Sequence, residues 1–139
     1  TLEVQFSARG PQTWVYVLNE GSTDLAAGEV VIRNTTSTEY KVIVAPSSSI
    51  SLGLRVIGIA QHAIPAGSYG YVLRRGIGTV KIGSGSGVSD VDTLTSGGAE
   101  AGTLLVKANS AAGAAGMIAL AVQNIAASGT GLAFIDCRG

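Results

Sequence analysis

Apolar and polar positions alternate along this chain in short runs, and each run ends at glycine, proline or a cluster of small polar residues. That is the signature of β-strands joined by tight turns. The clearest case is residues 56–76, VIGIAQHAIPAGSYGYVLRRG. Ile57 and Ile59 fall on one face, with Gly58 and Ala60 on the other. Pro65, Ala66 and Gly67 then reverse the chain, because proline fixes φ and glycine supplies φ > 0. Tyr69, Tyr71 and Leu73 resume the period of two up to Arg74, Arg75 and Gly76, where the unit is expected to close.

A second, looser copy is visible in residues 117–139, MIALAVQNIAASGTGLAFIDCRG. The segment from Ile57 to Gln61 aligns with that from Ala119 to Gln123, and Gln61/Gly67 answers to Gln123/Gly129. Arg75-Gly76 answers to Arg138-Gly139 after a one-residue shift, as a bulge would give. Ala27-Gly28 and Ala101-Gly102 also precede β-like runs. These segments are either copies of one hairpin unit or turns of a kind common in glycine-rich β proteins. They are too few and irregular for a solenoid.

Residues 1–10 alternate weakly, with Leu2, Val4 and Phe6 on one face, before Arg9-Gly10-Pro11 breaks the pattern. Residues 1–11 are therefore either a first edge strand or an arm reaching a neighbouring subunit or shell. Strands are predicted over 14–18, 29–34, 40–45, 56–61, 69–74, 79–82, 92–94, 103–108 and 117–122, and a last one before the C-terminus. The Ala-rich 109–116 permits a turn of helix, but Gly113 and Gly116 oppose a long one. About ten short strands at this spacing predict an all-β fold, a compact antiparallel barrel or sandwich with little helix. Residues 12–139 read as a single β domain, with two related halves joined near 83–90.

Composition narrows the function. The chain has 139 residues, 46% hydrophobic and 13% charged, with 20 glycines and nine residues of each charge. Zero net charge argues against a nucleic-acid-binding surface. A surface so poor in charge is association-prone when left open, which points to coverage by copies of itself or by a larger assembly. The single cysteine, Cys137, forms no intrachain disulfide, and one His with one Cys exclude a Cys/His zinc site from one chain. No apolar run approaches the ~20 residues of a membrane helix, and no signal-peptide pattern is present. Thr1 is the kind of residue left after removal of an initiator Met, so the numbering is expected to be that of a processed chain.

Candidate chemistry is thin. His62 has no nucleophile or acid partner in an elbow-like sequence, and its counterpart in the second copy is Asn124, which suggests turn packing. Asp90 and Asp92 alternate as cation ligands could, but the Glu of a calcium loop is missing. Residues 83–87, GSGSG, read as a solvent loop, because a phosphate cradle needs a following helix N-terminus. Cys137 reads as a small buried hydrophobe. The remaining candidates form interfaces. Tyr69 and Tyr71 share a face, and one of Arg74 and Arg75 could meet a neighbour's Glu100 or Asp136. Catalytic, cofactor and metal sites are expected to be absent, and the protein is expected not to be an enzyme.

The run from Ile57 to Gln61 and on from Ile64 to Val72, preceded by Ala27-Gly28-Glu29-Val30-Val31, resembles small β-rich decoration, or cement, proteins of tailed-bacteriophage heads. The resemblance covers about 25–82, with a fainter echo to Gly139. It implies a virion structural protein without catalytic residues, made in the host cytoplasm and seated on the outer capsid surface. Its partners would be the major capsid protein and itself, as a homo-oligomer and most simply a trimer, and it would stabilise the head by linking neighbouring capsid subunits. The acidic character of many relatives is absent here. Leu2, Val4, Phe6, Arg9, Tyr69, Tyr71, Arg74 and Arg75 are the candidate interface, with no nucleic acid and no membrane involved. The alternative is a receptor- or carbohydrate-binding β module of a phage fibre or spike, which an exposed aromatic platform would support.

Overall fold

The computed structural model describes residues 2–7, 9–34, 40–46, 56–85, 87–96, 100–106 and 117–137, with side chains described from Arg9 onward, Ser96 excepted. These residues form ten strands and no helix: β1 (Leu2–Ser7), β2 (Gly10–Asn19), β3 (Val30–Arg33), β4 (Lys41–Val44), β5 (Val56–Ala60), β6 (Tyr69–Lys81), β7 (Thr93–Ser96), β8 (Leu104–Val106), β9 (Met117–Ala121) and β10 (Thr130–Asp136). The all-β reading holds, and 117–121 is strand. Residues 109–116, where the sequence permits a turn of helix, lie outside the described residues, as do Arg138 and Gly139.

The sheet order β1-β2-β4-β3-β5-β6-β10-β9-β7-β8 closes on itself twice. Pairing of β2 with β6 closes a first ring, β2-β4-β3-β5-β6, which we call barrel 1. A parallel bridge between Ile82 and Leu104 brings the end of β6 to β8 and closes a second ring, β6-β10-β9-β7-β8, barrel 2. Strand β6 belongs to both. Its first half is the last strand of barrel 1, and its second half is the first strand of barrel 2.

The two rings are copies. Val30, Val31 and Ile32 of β3 pair with Ile59, Gly58 and Val56 of β5, with a bulge after Val31. Thr93, Leu94 and Thr95 of β7 pair with Leu120, Ala119 and Met117 of β9, with a bulge after Leu94. Ala60 pairs with Val72, and Ala121 with Ala133, 61 positions later. The parallel closure of Asn19 on Val42 in barrel 1 matches that of Ile82 on Leu104 in barrel 2. The same register, the same bulge and the same closure recur, so the duplication extends well beyond the hairpin unit read from the sequence. The alignment is also corrected by one residue. Ala121, not Val122, answers to Ala60, so Val122 is the counterpart of Gln61, and Gln123 rather than Asn124 is the counterpart of His62.

Interior positions repeat as well. Val17, Leu25, Val31, Val42, Ile57, Ala60, Ile64 and Val72 fill barrel 1. Their counterparts Val80, Val88, Leu94, Leu104, Ile118, Ala121, Ile125 and Ala133 are all buried in the larger core cluster. Ile57 thus shares a face with Ala60 and not, as simple alternation predicts, with Ile59, because the bulge in the β3–β5 pairing breaks the period of two. Each large side chain buried this way contributes about 1.5–3 kcal/mol before ordering costs. A common turn closes both barrels. Leu25 and Ile64 bridge each other and each leads into a turn, at 26–29 and 65–68; Val88 and Ile125 do the same at 89–92 and 126–129. The third residue of each turn has positive φ: Gly28, Gly67, Val91 and Ser128. Turn 26–29 caps the end of β5, with Gly28 N donating to Ala60 O and Ala60 N to Glu29 O, at 2.6 and 2.9 Å. Turn 89–92 caps β9 identically, through Val91 N to Ala121 O and Ala121 N to Asp92 O, both 2.9 Å.

The sequence places a strand end at Arg75-Gly76 and a fresh strand at 79–82. Instead β6 runs unbroken to Lys81. Gly76, at φ 120°, bends the strand rather than ending it, while its β2 partners skip register between Thr13 and Trp14. The bend carries β6 from one barrel into the other. A Cβ at Gly76 would lie 2.7 Å from Pro11 O, so only glycine fits the bend.

Candidate interaction surface

The outer face of barrel 1 carries an aromatic cluster. Tyr16 on β2 is the cross-strand partner of Tyr71 on β6, and Leu18 that of Tyr69. The rings of Tyr16 and Tyr69 stack at 5.3 Å with 11° between planes, and Tyr71 tilts against Tyr16 at 5.0 Å. Tyr69 is 59% exposed and Tyr16 40%. The shared face of Tyr69 and Tyr71 is as the alternation requires. Tyr16 was missed because it lies far away in sequence, and only the β2–β6 pairing brings it to them. Trp14 is half-buried and packs against the core, so the platform is made of tyrosines. Nearby, Arg33 lies 4.9 Å over the ring of the exposed Tyr40, a contact worth about 0.5–1 kcal/mol at such sites.

The other sequence candidates sit elsewhere. Strand β1 is the sheet edge, antiparallel to β2 from Leu2 opposite Val15 to Ser7 opposite Gly10. The side chains of Leu2, Val4 and Phe6 lie outside the described residues. Arg9 is exposed in the β1–β2 turn. Arg74 is half-buried and Arg75 exposed, further along β6 than the tyrosines. Asp136 is the cross-strand partner of Arg75 in the same chain. Glu100 accepts from Ser84 at 3.1 Å, and the Ser84 hydroxyl and amide hold its carboxyl below the usual carboxylate range.

Polar groups read as candidate chemistry serve the turns. His62 is exposed, with Nδ1 2.9 Å from Ala63 O. Asp92 accepts from Ser89 N at 2.8 Å, as Glu29 accepts from Ala26 N at 2.6 Å in barrel 1. Asn124 accepts from Asp90 N at 2.9 Å. After 83–87 come the bridge residue Val88 and a turn rather than a helix N-terminus. Cys137 is buried, and desolvation pushes its thiol up to about 12. The one strong polar anchor that the sequence did highlight, without its role, is Gln61. Its amide accepts from Thr79 N at 2.8 Å and donates to Thr79 O at 2.9 Å, standing in for a strand along β6.

Barrel 2 has its own exposed apolar group. Val91 is 72% exposed at the tip of turn 89–92, and Met117, Val122 and Phe134 are each close to 40%. Leu120, half-buried, is the cross-strand partner of both Thr93 and Phe134, which places these side chains in one row on the outer face.

No family model matches the sequence, and no curated protein gives a significant match. Among the solved structures that share the fold are two from phages. One is the N base of the head fibre gp8.5 of bacteriophage phi29, with a TM-score of 0.59 and 13% identity over 88% of this chain and 94% of that one. The other is a chain of the capsid of Myoviridae phage XM1, with a TM-score of 0.65 and 14% identity over 95% of this chain and 88% of that one. The likeness is one of fold, spans nearly the whole of each chain, and agrees with the resemblance to phage-head proteins read from the sequence.

Proposed function

We propose that this chain is a structural protein of a tailed-phage virion that sits on the outer capsid surface as a homo-oligomer, most simply a trimer, and links neighbouring capsid subunits without catalysing a reaction. The observation that carries this is the fold itself: two chains of phage heads match it almost end to end at TM-scores of 0.59 and 0.65. The surface supports it. Exposed Tyr, Val, Met and Phe side chains on a chain with only 13% charged residues suit a molecule that works covered by partners. The major capsid protein is the natural partner, and edge strand β1 and the tyrosine face offer two places to meet it.

The test uses gradient-purified virions probed with antibody to the purified chain. The chain should be present in many copies on the head, be removed by mild chaotrope, and rebind stripped heads when added back. Stripped heads should break open at lower temperature than rebound ones. Absence from virions, or confinement to the tail, overturns the reading. A second reading, a glycan- or receptor-binding module of a head fibre, is favoured by the stacked, exposed Tyr16–Tyr69 pair and by the fibre-base neighbour. Binding to isolated host-surface glycans that Tyr69→Ala abolishes would select it.

A further inference from the structure

The duplication assigns a role to the apolar faces that the single chain leaves open. In barrel 1 the cross-strand row Val30–Ile59–Leu73 lies on the outer face and is wholly buried. It is buried because barrel 2 lies on it. Gly102 O accepts from Val30 N at 2.9 Å, Lys81 N donates to Gly28 O at 3.1 Å, and Gln61 binds Thr79. The join thus has two halves. One is the β3/β5/β6 face of barrel 1 with turn 26–29. The other is the second half of β6, at Thr79 and Lys81, with Gly102.

Each half has a counterpart that nothing among the described residues covers. The row Val30–Ile59–Leu73 corresponds to Thr93–Leu120–Phe134, with Val91 and Val122 in the places of Gly28 and Gln61. That set includes three of the four exposed apolar side chains of barrel 2, Val91, Val122 and Phe134. Thr79, Lys81 and Gly102 correspond to Tyr16, Leu18 and Tyr40, on the equivalent strand and turn of barrel 1. Tyr16 and Tyr40 are exposed. Strand β1 is described from Leu2, opposite Val15, and Leu18 N donates to Tyr40 O at 3.0 Å, so this face offers its side chains rather than a free strand edge. The exposed large apolar side chains are therefore mostly the unmatched halves of a join the molecule already makes once. Where the internal join is fastened by the Gln61 amide, the open face carries Val122, as suits a contact held by side-chain burial alone.

We infer that these two faces bind each other in trans, the Val91–Leu120–Phe134 face of one copy seating on the Tyr16–Leu18–Tyr40 face of the next. The contact is head to tail and joins the counterparts of the two faces packed within one copy, but Val91 and Tyr40 stand where the internal join has Gly28 and Gly102, which leave no room for a Cβ, so the faces meet through side chains at a wider spacing. It is heterologous, so it closes into a ring or continues as a filament. It rests on, and locates, the homo-oligomeric part of the function proposed above.

The test is sedimentation velocity with light scattering on the full chain and on Val122→Asp and Tyr40→Asp, one substitution per face, both at exposed positions. Circular dichroism and melting confirm folding; Tyr16→Ser is a second variant of the tyrosine face. The wild type should associate, and each variant should dissociate about tenfold more readily or worse. Mixed, the two variants should form a one-to-one dimer and nothing larger, because each retains the face that the other lacks. A wild type monomeric at ~100 µM, folded variants that associate like wild type, or a mixture that stays monomeric overturns the inference. A monomeric chain nonetheless found on heads would leave the capsid role standing without this contact. A head-to-tail oligomer absent from virions would do the reverse.

Discussion

Barrel 1 and barrel 2 keep one backbone plan while differing at most outward positions. Most interior residues change within the apolar class, as Val31 becomes Leu94, Val42 becomes Leu104 and Val72 becomes Ala133, while buried Asn19 becomes Ile82 and Val15 becomes Gly78. The bulge falls at the same place on β3 and β7, although Val-Val-Ile in one is Thr-Leu-Thr in the other. The outer row shifts from Val30, Ile59 and Leu73 to Thr93, Leu120 and Phe134, and the left-handed turn residues from Gly28 and Gly67 to Val91 and Ser128. The comparison separates what the fold needs from what the molecule does with it. Cross-strand register and a filled interior define the barrel; the outer row decides which barrel meets which partner.

The largest expected effect tests whether the barrels stand or fall together. Ile57 and Ile118 are interior counterparts, both buried. Ile57→Ala and Ile118→Ala should each cost about 2–5 kcal/mol. Because β6 runs through both rings and the larger core cluster spans barrel 2 and the join, each variant should melt in one transition sensed by calorimetry and tyrosine fluorescence alike. Two transitions, one left in place by each variant, would show that the barrels are separate folding units.

The strands and the second half of the duplication were legible in the sequence because 56–76 and 117–139 both show period-two alternation around a small-residue turn. The one-residue misalignment has a physical source. Ala119, Ala121, Ala126 and Ala127 lack the bulk that would fix which residue is interior, and Gly129 attracts the left-handed position that Ser128 in fact occupies. Cross-strand partners resolve it, and these are not visible in one strand. The first half of the duplication was hidden because its counterparts share class rather than identity, as with Leu25 and Val88. The tyrosine face was half legible, through Tyr69 and Tyr71. Tyr16 and the barrel 2 row depend on which strands become neighbours.

A smaller effect separates the joined face from the open one. Gln61→Ala removes both bonds to the Thr79 backbone and leaves an amide and a carbonyl unpaired at the join, which should cost about 1–3 kcal/mol in chemical denaturation. The counterpart Val122→Ala, on the open face, should stay within about 0.5 kcal/mol of wild type as a monomer. If the two substitutions cost the same, the inter-barrel join does not depend on the Gln61 amide.

Turn residues sharpen the comparison further. Val91 holds φ 65°, a region where a β-branched side chain is strained. Val91→Gly restores what barrel 1 has at Gly28 and should stabilise the monomer by about 1 kcal/mol, the relief of strain exceeding the entropy lost in fixing glycine. The same change removes an apolar side chain from the barrel 2 face, so melting temperature should rise while self-association weakens. Gly67→Ala is the converse in barrel 1. No atom lies within 4 Å of the added Cβ, so its cost, about 1 kcal/mol, is conformational alone.

The smallest expected effect is at Ser128, the counterpart of Gly67, at φ 60°. Serine lacks the β-branch of Val91, so less strain is stored and Ser128→Gly should stabilise by about 0.5 kcal/mol. Its amide donates to Gly83 O at 3.1 Å, and glycine keeps that bond, so the substitution isolates the backbone term. A thermal melt of Ser128→Gly beside Val91→Gly should therefore rank Val91 first and Ser128 second, both stabilising. If Ser128→Gly is instead destabilising, the serine side chain holds this turn in a way that the glycine of barrel 1 does not, and the two turns are equivalent in shape but not in what sustains them.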